Sequence, residues 1–202
     1  MAKDLDLDLE VLEVGSAYTM YAAALVNLAI DKKQGSDATS TLQTVSKYAE
    51  RLKEALVRCR VDVEIPVNVG GPEDILRFLQ NGDLMHKISN QLVREHSARQ
   101  EGIFLLTSLI GGALTASTGG VPKTAGPARS EAIVVGRKVG IPDSVIERCL
   151  KKETLTPLRD FLRKREARSP TKMVLQHPLI AWALGVVGAV VAGTILYLFG
   201  FN

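Results

Sequence analysis

The chemically reactive side chains of this chain are few and widely spaced. Its three histidines are His86, His96 and His177, and its two cysteines are Cys59 and Cys149. His86 and His96 fall on one predicted helix about 15 Å apart along its axis, too far for a shared metal ion. Neither cysteine belongs to a Cys-x-x-Cys pair, so we expect free thiols in a reducing compartment. The spacing predicts no metal site and no cofactor.

Sequence motifs of catalysis do not point to an enzyme either. Lys123-Thr124 resembles the end of a phosphate-binding loop, but Pro122 stands where that loop requires glycine. We find no nucleophile elbow and no dinucleotide-binding loop in the sequence. The acidic residues that could serve as bases fall on exposed faces of predicted strands and helices. The sequence therefore predicts a non-enzymatic protein.

Two acidic stretches show the alternation that is typical of strands. Apolar and charged residues alternate along 4–11 and again along 61–69, and a period of two indicates a half-buried strand. Pro66 cannot donate a ladder hydrogen bond, so the second strand is expected at an edge or with a bulge. The shared acidic face is either solvated or docked on something basic, such as residues 151–172 or a partner. The residues of this possible partner face are Asp4, Asp6, Asp8, Glu10, Asp62 and Glu64.

The last 25 residues carry the strongest signal in the sequence. No charged residue occurs from Pro178 to Asn202, and about 20 apolar residues suffice to cross the hydrocarbon layer of a bilayer. Trp182 and Tyr197 lie near the two ends, where aromatic rings prefer the headgroup level. The sequence predicts one transmembrane helix over 178–202. With no folded domain expected beyond it, the predicted topology is tail-anchored.

Charges on the N-terminal side of this helix predict its orientation. Residues 151–172 contain eight Lys or Arg against three acids, and no basic residue follows Pro178. The positive-inside rule then places the N-terminal domain in the cytoplasm, which favours a bacterial inner membrane, although a eukaryotic organelle surface also suits a tail anchor. Apolar residues of 155–162 fall at helical spacing, which predicts a short helix on anionic headgroups. Nucleic acid is disfavoured, because no aromatic residues interleave these cations. The predicted membrane-surface contacts are Arg159, Arg163, Lys164, Arg165, Arg168, Lys172, Trp182 and Tyr197.

Small residues form a stripe along the predicted transmembrane helix. They are Ala181, Gly185, Gly188, Ala189, Ala192 and Gly193. Small residues at a spacing of four let two membrane helices approach closely. The stripe predicts self-association of the chain, or its pairing with another membrane protein.

Between the two acidic stretches and beyond them, the pattern is helical. We expect a core helix over 16–30, an amphipathic helix over 37–59, a short helix from Pro72 to about Gln80 and a longer one over 83–110. The uncharged stretch from Gly102 to Pro122 is apolar in its first half and rich in Gly, Ser and Thr in its second. We therefore expect a loop over 111–127, and the alternative is that 103–121 inserts into a bilayer.

A pair of short helices is predicted over 131–150. They meet at Gly140-Ile141-Pro142, like a generic helix-turn-helix, with Arg148 where a base contact could lie.

Together these patterns predict a mainly α fold. It is a cytoplasmic helical bundle over 1–150 with a minor two-stranded β element, followed by a basic juxtamembrane segment over 151–172 and a transmembrane anchor over 173–202. The leading functional hypothesis is an oligomeric adaptor or scaffold that holds an unknown protein partner at the cytoplasmic membrane face. One alternative is a membrane-disrupting or pore-forming effector, and a remote one is a membrane-tethered DNA-binding regulator.

Overall fold

The part of the chain that the structure describes is mainly helical, as predicted. The computed structural model describes the backbone of residues 2–118 and 122–167, with side chains placed within 7–114 and 128–165. The predicted transmembrane helix over 178–202 lies outside these residues. The helices are α1 (Ala2–Gln34), α2 (Thr39–Arg58), α3 (Pro72–Asn81), α4 (Asp83–Glu95), α5 (Ala98–Thr118), α6 (Pro122–Lys138), α7 (Asp143–Lys152) and α8 (Thr156–Ala167).

The strand predicted over 4–11 is wrong, because these residues form the first turns of α1. The predicted core helix over 16–30 is thus the middle of a much longer helix. Along α1 the buried positions follow a spacing of three and four, as at Asp8, Val11, Leu12 and Gly15. This spacing arises because α5 lies along one side of α1, and the packing of that side overrides the alternation of leucine and aspartate.

The strand predicted over 61–69 is also not formed. No strand occurs among the described residues, and 61–69 connects α2 to α3 without a ladder partner. The alternation of its side chains is nevertheless kept from Val61 to Ile65. Asp62 and Glu64 are exposed, whereas Val61 is buried and Val63 and Ile65 are half-buried. The alternating exposure of residues 61–65 is that of an extended chain, although this chain is held by side chains and not by a neighbouring strand.

The loop predicted over 111–127 is wrong as well. Helix α5 continues through Gly111 to Thr118, and α6 begins at Pro122. A glycine in a helix interior costs about 1 kcal/mol relative to alanine. Here Gly111 packs directly against Thr19 of α1, where a Cβ would lie 2.6 Å from the threonine Oγ1. Close contact between the two helices offsets the poor helix propensity of this segment.

The helices predicted over 37–59 and from Pro72 to about Gln80 form as α2 and α3. Asp37 accepts hydrogen bonds from the amide and the hydroxyl of Thr39 at the start of α2, at 3.0 and 2.6 Å. Helix α3 begins at Pro72 and ends before Gly82, whose φ of 67° is in the left-handed region that glycine tolerates. The helix predicted over 83–110 is divided, since α4 ends before His96.

Helices α1 and α5 form the centre of the domain. Helix α1 packs against α2, α3, α5 and α8, whereas α5 packs against α1, α4, α6 and α7. The two central helices run parallel in a constant register. Three contacts define it, and in each the partners stand 92 positions apart in the chain: Asp8 with Gln100, Gly15 with Thr107, and Thr19 with Gly111. The spacing of seven and four along each helix makes a continuous packing seam.

Candidate functional site

Helix α8 is amphipathic, and its apolar side belongs to the core of the domain. Leu158 and Leu162 are buried, and α8 packs against α1 and α7. Arg159 lies at the edge of this contact and donates to the Glu13 carboxylate at 2.5 Å. The apolar side of the helix expected on anionic headgroups is therefore covered by the domain. Of the predicted surface contacts, Arg159 is committed to the domain itself.

Near its C-terminal end α8 carries three consecutive cations, Arg163, Lys164 and Arg165, all exposed. Arg165 is on the side of the helix that faces the domain, with its guanidinium near Gly140. Two further exposed cations, Lys151 and Lys152, end the neighbouring helix α7. We call Arg163, Lys164 and Arg165 the basic edge. The remaining predicted membrane contacts and the small-residue stripe lie outside the described residues, and they are Arg168, Lys172, Trp182, Tyr197, Ala181, Gly185, Gly188, Ala189, Ala192 and Gly193.

Asp8 does not belong to an exposed acidic face. Its side chain is 3% exposed and accepts hydrogen bonds from Arg99 Nη2 at 2.8 Å and from Gln100 Nε2 at 2.9 Å. Arg99 also donates through Nη1 to the carbonyl of Val139 at 2.5 Å. The Asp8 carboxylate therefore joins the start of α1 to the start of α5, and Arg99 extends this network to the end of α6. Sequence reasoning missed this network because its members are about ninety positions apart and no local pattern marks them.

The other residues of the predicted acidic face divide between two elements. Glu10 is half-buried on α1, whereas Asp62 and Glu64 are exposed on the connection 61–69. The side chains of Asp4 and Asp6 lie outside the described side chains. The predicted acidic face of two paired strands is therefore not formed, and only Asp62 and Glu64 lie together as exposed carboxylates.

The connection 61–69, which we call the clamped segment, is fixed by side chains at several points. Gln91 of α4 both accepts from the amide of Asp62, at 3.2 Å, and donates to its carbonyl, at 2.8 Å. Tyr21 of α1 donates its hydroxyl proton to the Pro66 carbonyl, and Lys32 donates to the carbonyl of Gly70 just beyond the segment, both at 2.5 Å. An extended chain is therefore held in place without any neighbouring strand.

A groove of about 440 Å³ separates the clamped segment from α2. Its α2 wall includes Glu50, Lys53, Leu56 and Val57, and its other wall is formed by 61–65 with Val67. Val57 is a large apolar side chain that is 66% exposed. The groove thus combines apolar surface, an excess of carboxylates and backbone groups that have no partner among the described residues.

The predicted helix pair at 131–150 is present, with its turn where expected. Val139, Ile141, Val145 and Ile146 are buried across this turn. Arg137 and Asp143 form an ion pair across it at 2.5 Å, which lowers the pKa of the aspartate.

Arg148 of this pair is exposed and donates back to the Ser144 carbonyl at 3.2 Å. Contact of this helix with DNA stays a hypothesis that is based on the sequence alone.

The thiols and imidazoles are placed for packing and hydrogen bonding. Burial raises the pKa of the Cys59 thiol to about 12, and it raises the pKa of Cys149 as well. A thiol that is buried and protonated is a poor nucleophile. His96 bonds through Nε2 to the Cys59 carbonyl at 2.6 Å, while His86 is exposed on α4. Within the described residues, no group of His, Cys, Asp or Glu is placed to hold a metal ion.

Among the described helices, α1 is long and apolar enough over Leu7–Gln34 to cross a membrane. Half of its apolar window is buried in the domain, and core helices of soluble proteins meet the same criterion of length and composition. Comparison with known proteins gives no further guide, since no family model, no curated protein and no solved structure matches this chain.

Proposed function

We propose that this chain is a membrane-anchored adaptor. Its uncharged segment 178–202 crosses the bilayer once, its helical domain lies at the cytoplasmic face, and it binds a protein partner there without catalysing a reaction. The observation that carries the proposal is the basic edge. These three exposed cations stand on a helix whose apolar side is already used by the domain, shortly before the uncharged segment in the chain.

The attachment of α8 to the domain matters for this role. A free amphipathic helix would insert its apolar side into the bilayer and leave the domain loosely tethered. Here Leu158 and Leu162 fix α8 to the core, and the Arg159–Glu13 pair joins it to α1. Attraction of the basic edge to anionic headgroups would therefore orient the whole domain. Each cation near such a surface contributes about 1 kcal/mol.

Membrane anchoring is tested by fractionation of cells that express the full chain or a chain ending at Thr171. We expect the full chain to stay in the membrane pellet after alkaline carbonate extraction and the shortened chain to be released. If the full chain is extracted as well, segment 178–202 is not a transmembrane anchor and the proposal fails.

The role of the basic edge is tested with the shortened chain and liposomes. Replacing Arg163, Lys164 and Arg165 by glutamine should weaken binding to phosphatidylserine-containing vesicles by roughly 100-fold, from about 1 kcal/mol per cation. Binding to pure phosphatidylcholine should not change.

The matched control for the basic edge replaces three exposed cations on α2, namely Lys47, Lys53 and Arg58, by glutamine. Both triple variants remove three positive charges, but the control removes them from α2 instead of α8. Equal loss of binding in both triple variants would contradict an oriented contact through α8.

A second candidate function is disruption of a membrane. The two central helices α1 and α5 are both apolar, they pack directly on each other, and α1 meets the length criterion for a membrane span. Insertion would require both helices to leave the domain and to break the ion pair between Asp8 and Arg99. This candidate therefore predicts activity only after a trigger that opens the domain.

Leakage of a dye from liposomes tests this candidate, and the choice of variant is decisive. Gly111→Asp would disturb the closed domain, because Gly111 faces Thr19. Gly112 is exposed, with no atom near the position of a Cβ, so Gly112→Asp leaves the domain intact while placing a charge in the segment that must insert. Pore formation predicts leakage by the native chain under acid or mild denaturant and none by Gly112→Asp. No leakage by either chain removes the candidate.

A further inference from the structure

The backbone of the clamped segment is only partly hydrogen-bonded within the protein. The amide of Val61 donates to the Leu56 carbonyl at 2.9 Å, and both backbone groups of Asp62 bond to Gln91. From Val63 to Ile65, by contrast, neither the amides nor the carbonyls have a partner among the described residues. Unpaired amide and carbonyl groups on an extended chain form a ready template for another strand.

The positions of the bonded groups indicate which side of the segment is open. In an extended chain the amide and carbonyl of one residue point to the same side, and those of the next residue point to the opposite side. The groups of Asp62 point towards α4, where Gln91 lies, and the amide of Val61 points towards α2. Val63 and Ile65 therefore direct their free groups towards α2, into the groove. Pro66, which lacks an amide proton, falls on the other side and does not interrupt this edge.

The charges of the groove indicate what chemistry it would accept. Three carboxylates line it, from Glu50, Asp62 and Glu64, against the single ammonium group of Lys53. The cleft on the other side of the segment is smaller, about 240 Å³, and there Lys87 balances Glu64. The side with free backbone groups is thus also the side with excess negative charge.

We propose that this groove binds an extended, basic segment of a partner protein by strand addition to Val63–Ile65. The partner would pair in the antiparallel sense, with alternate lysine or arginine side chains beside Asp62 and Glu64. The residues between them would be apolar and lie on the face of Val63 and Ile65, near the exposed Val57. The inference rests on the proposed adaptor function, for which it names the class of partner.

A second copy of this chain is a poor occupant. Antiparallel pairing of two clamped segments would bring Asp62 and Glu64 close to their own counterparts, and like charges on neighbouring strands repel. The basic edge of the same chain is not available as an extended strand while Arg163, Lys164 and Arg165 are part of α8.

The test uses the full chain in phosphatidylcholine nanodiscs and a fluorescent hexapeptide of alternating lysine and valine. We expect saturable binding that protects the amides of Val63 and Ile65 from hydrogen exchange. Glu64→Lys should weaken it by about tenfold, because it removes a cross-strand ion pair and replaces it with repulsion. Glu54→Lys is the control, because Glu54 is exposed on α2 but does not line the groove, and it should bind like the native chain.

Methylation of the peptide backbone distinguishes strand addition from plain charge attraction. In an antiparallel pair the peptide residues opposite Val63 and Ile65 exchange hydrogen bonds with them, and these are the valines. N-methylation of the valines should abolish binding, whereas N-methylation of the lysines should leave it. Equal effects of the two methylated peptides, equal binding by Glu64→Lys and Glu54→Lys, or no binding at all would each overturn the inference.

Failure of this inference can be told from failure of the adaptor proposal. A chain that stays in the membrane pellet but does not bind the peptide leaves the anchor in place and rejects only the groove. A chain that binds the peptide but is released by carbonate keeps the groove and rejects the anchor. If the nanodisc-bound chain instead forms dimers through residues 61–69 that the peptide cannot displace, the occupant is a second copy and the inference is wrong.

Discussion

At the scale of single residues, the contact between α1 and α5 depends on two glycines that face two threonines. A Cβ at Gly15 would lie 2.7 Å from the Thr107 Cβ, and one at Gly111 would lie 2.7 Å from the Thr19 Cγ2. Each threonine hydroxyl donates to a carbonyl of its own helix, at 2.9 Å for Thr19 and 2.8 Å for Thr107. The hydroxyls are thereby satisfied inside the domain, and the helices can approach closely at these positions.

We expect Gly111→Ala to destabilise the domain, although alanine is the better helix former. Overpacking at a close helix contact costs about 1–3 kcal/mol, which exceeds the gain in helix propensity of about 1 kcal/mol. Gly112→Ala is the matched control, because nothing lies near its Cβ position and only the gain in propensity remains. Urea denaturation should show opposite changes in the free energy of unfolding. A stabilised Gly111→Ala variant would contradict the seam between α1 and α5.

Stability should fall at alkaline pH partly because of Cys59. Its pKa is raised from 9.0 to about 12, so the folded state holds the thiol proton more tightly than the unfolded state does. The contribution of this group is complete below the unfolded pKa and is lost as pH rises through the folded pKa. Cys59→Ala should therefore show a shallower loss of unfolding free energy between pH 9.0 and about 12 than the native chain. Parallel curves for the two proteins would show that the thiol does not contribute.

At the scale of helices, the ends were easier to predict than the middles. The helices predicted over 37–59 and from Pro72 to about Gln80 agree within two residues with α2 and α3 at both ends. The alternation in 4–11 and the glycines after Ile110 are local patterns too, but packing between α1 and α5 overrode both. Local rules fail where a segment gains more from a neighbour distant in the chain than from its own propensity.

The network around Asp8 should make a large contribution to the joining of α1, α5 and α6. Arg99→Ala leaves the Asp8 carboxylate, which is 3% exposed, with Gln100 as its remaining side-chain donor among the described residues, at 2.9 Å. Removal of one partner of a buried pair costs about 3–5 kcal/mol, and partial exposure of Arg99 places the expected loss near 2–3 kcal/mol.

Arg94→Ala is the control for this network, because Arg94 is 83% exposed and its pair with Glu95 is long, at 3.9 Å. A surface pair of this kind should cost under about 1 kcal/mol. Thermal unfolding measures both variants, and equal shifts in Tm would refute a structural role for the Asp8 network.

At the scale of the whole molecule, the proposed adaptor has two functional surfaces. The basic edge on α8 would face the bilayer, whereas the groove beside the clamped segment would face a partner. Self-association through segment 178–202 would bring several such grooves together on one membrane. Several linked sites bind a multivalent partner far more tightly than one site does, without any new contact.

Self-association is predicted to depend on the small-residue stripe of segment 178–202. Gly185→Ile places a bulky side chain on the stripe and should convert a crosslinked ladder of the full chain into monomer. Val187→Ile adds volume two positions away, off the stripe, and should leave the ladder unchanged. Crosslinking in native membranes followed by gel electrophoresis checks both variants. A ladder that survives Gly185→Ile would place the contact elsewhere.

The sequence by itself determined the helical class, several helix ends and the uncharged C-terminal segment, because each depends on composition or on neighbours within a few residues. Tertiary structure decided which side of each helix is buried. It placed Asp8 inside the domain, continued α5 through two glycines, and left residues 61–69 without a strand partner among the described residues. These outcomes depend on contacts between residues thirty to ninety positions apart, such as Gln91 with Asp62 and Arg99 with Asp8. Pairings of that range are set by the packing of the whole domain, and no periodicity in the chain encodes them.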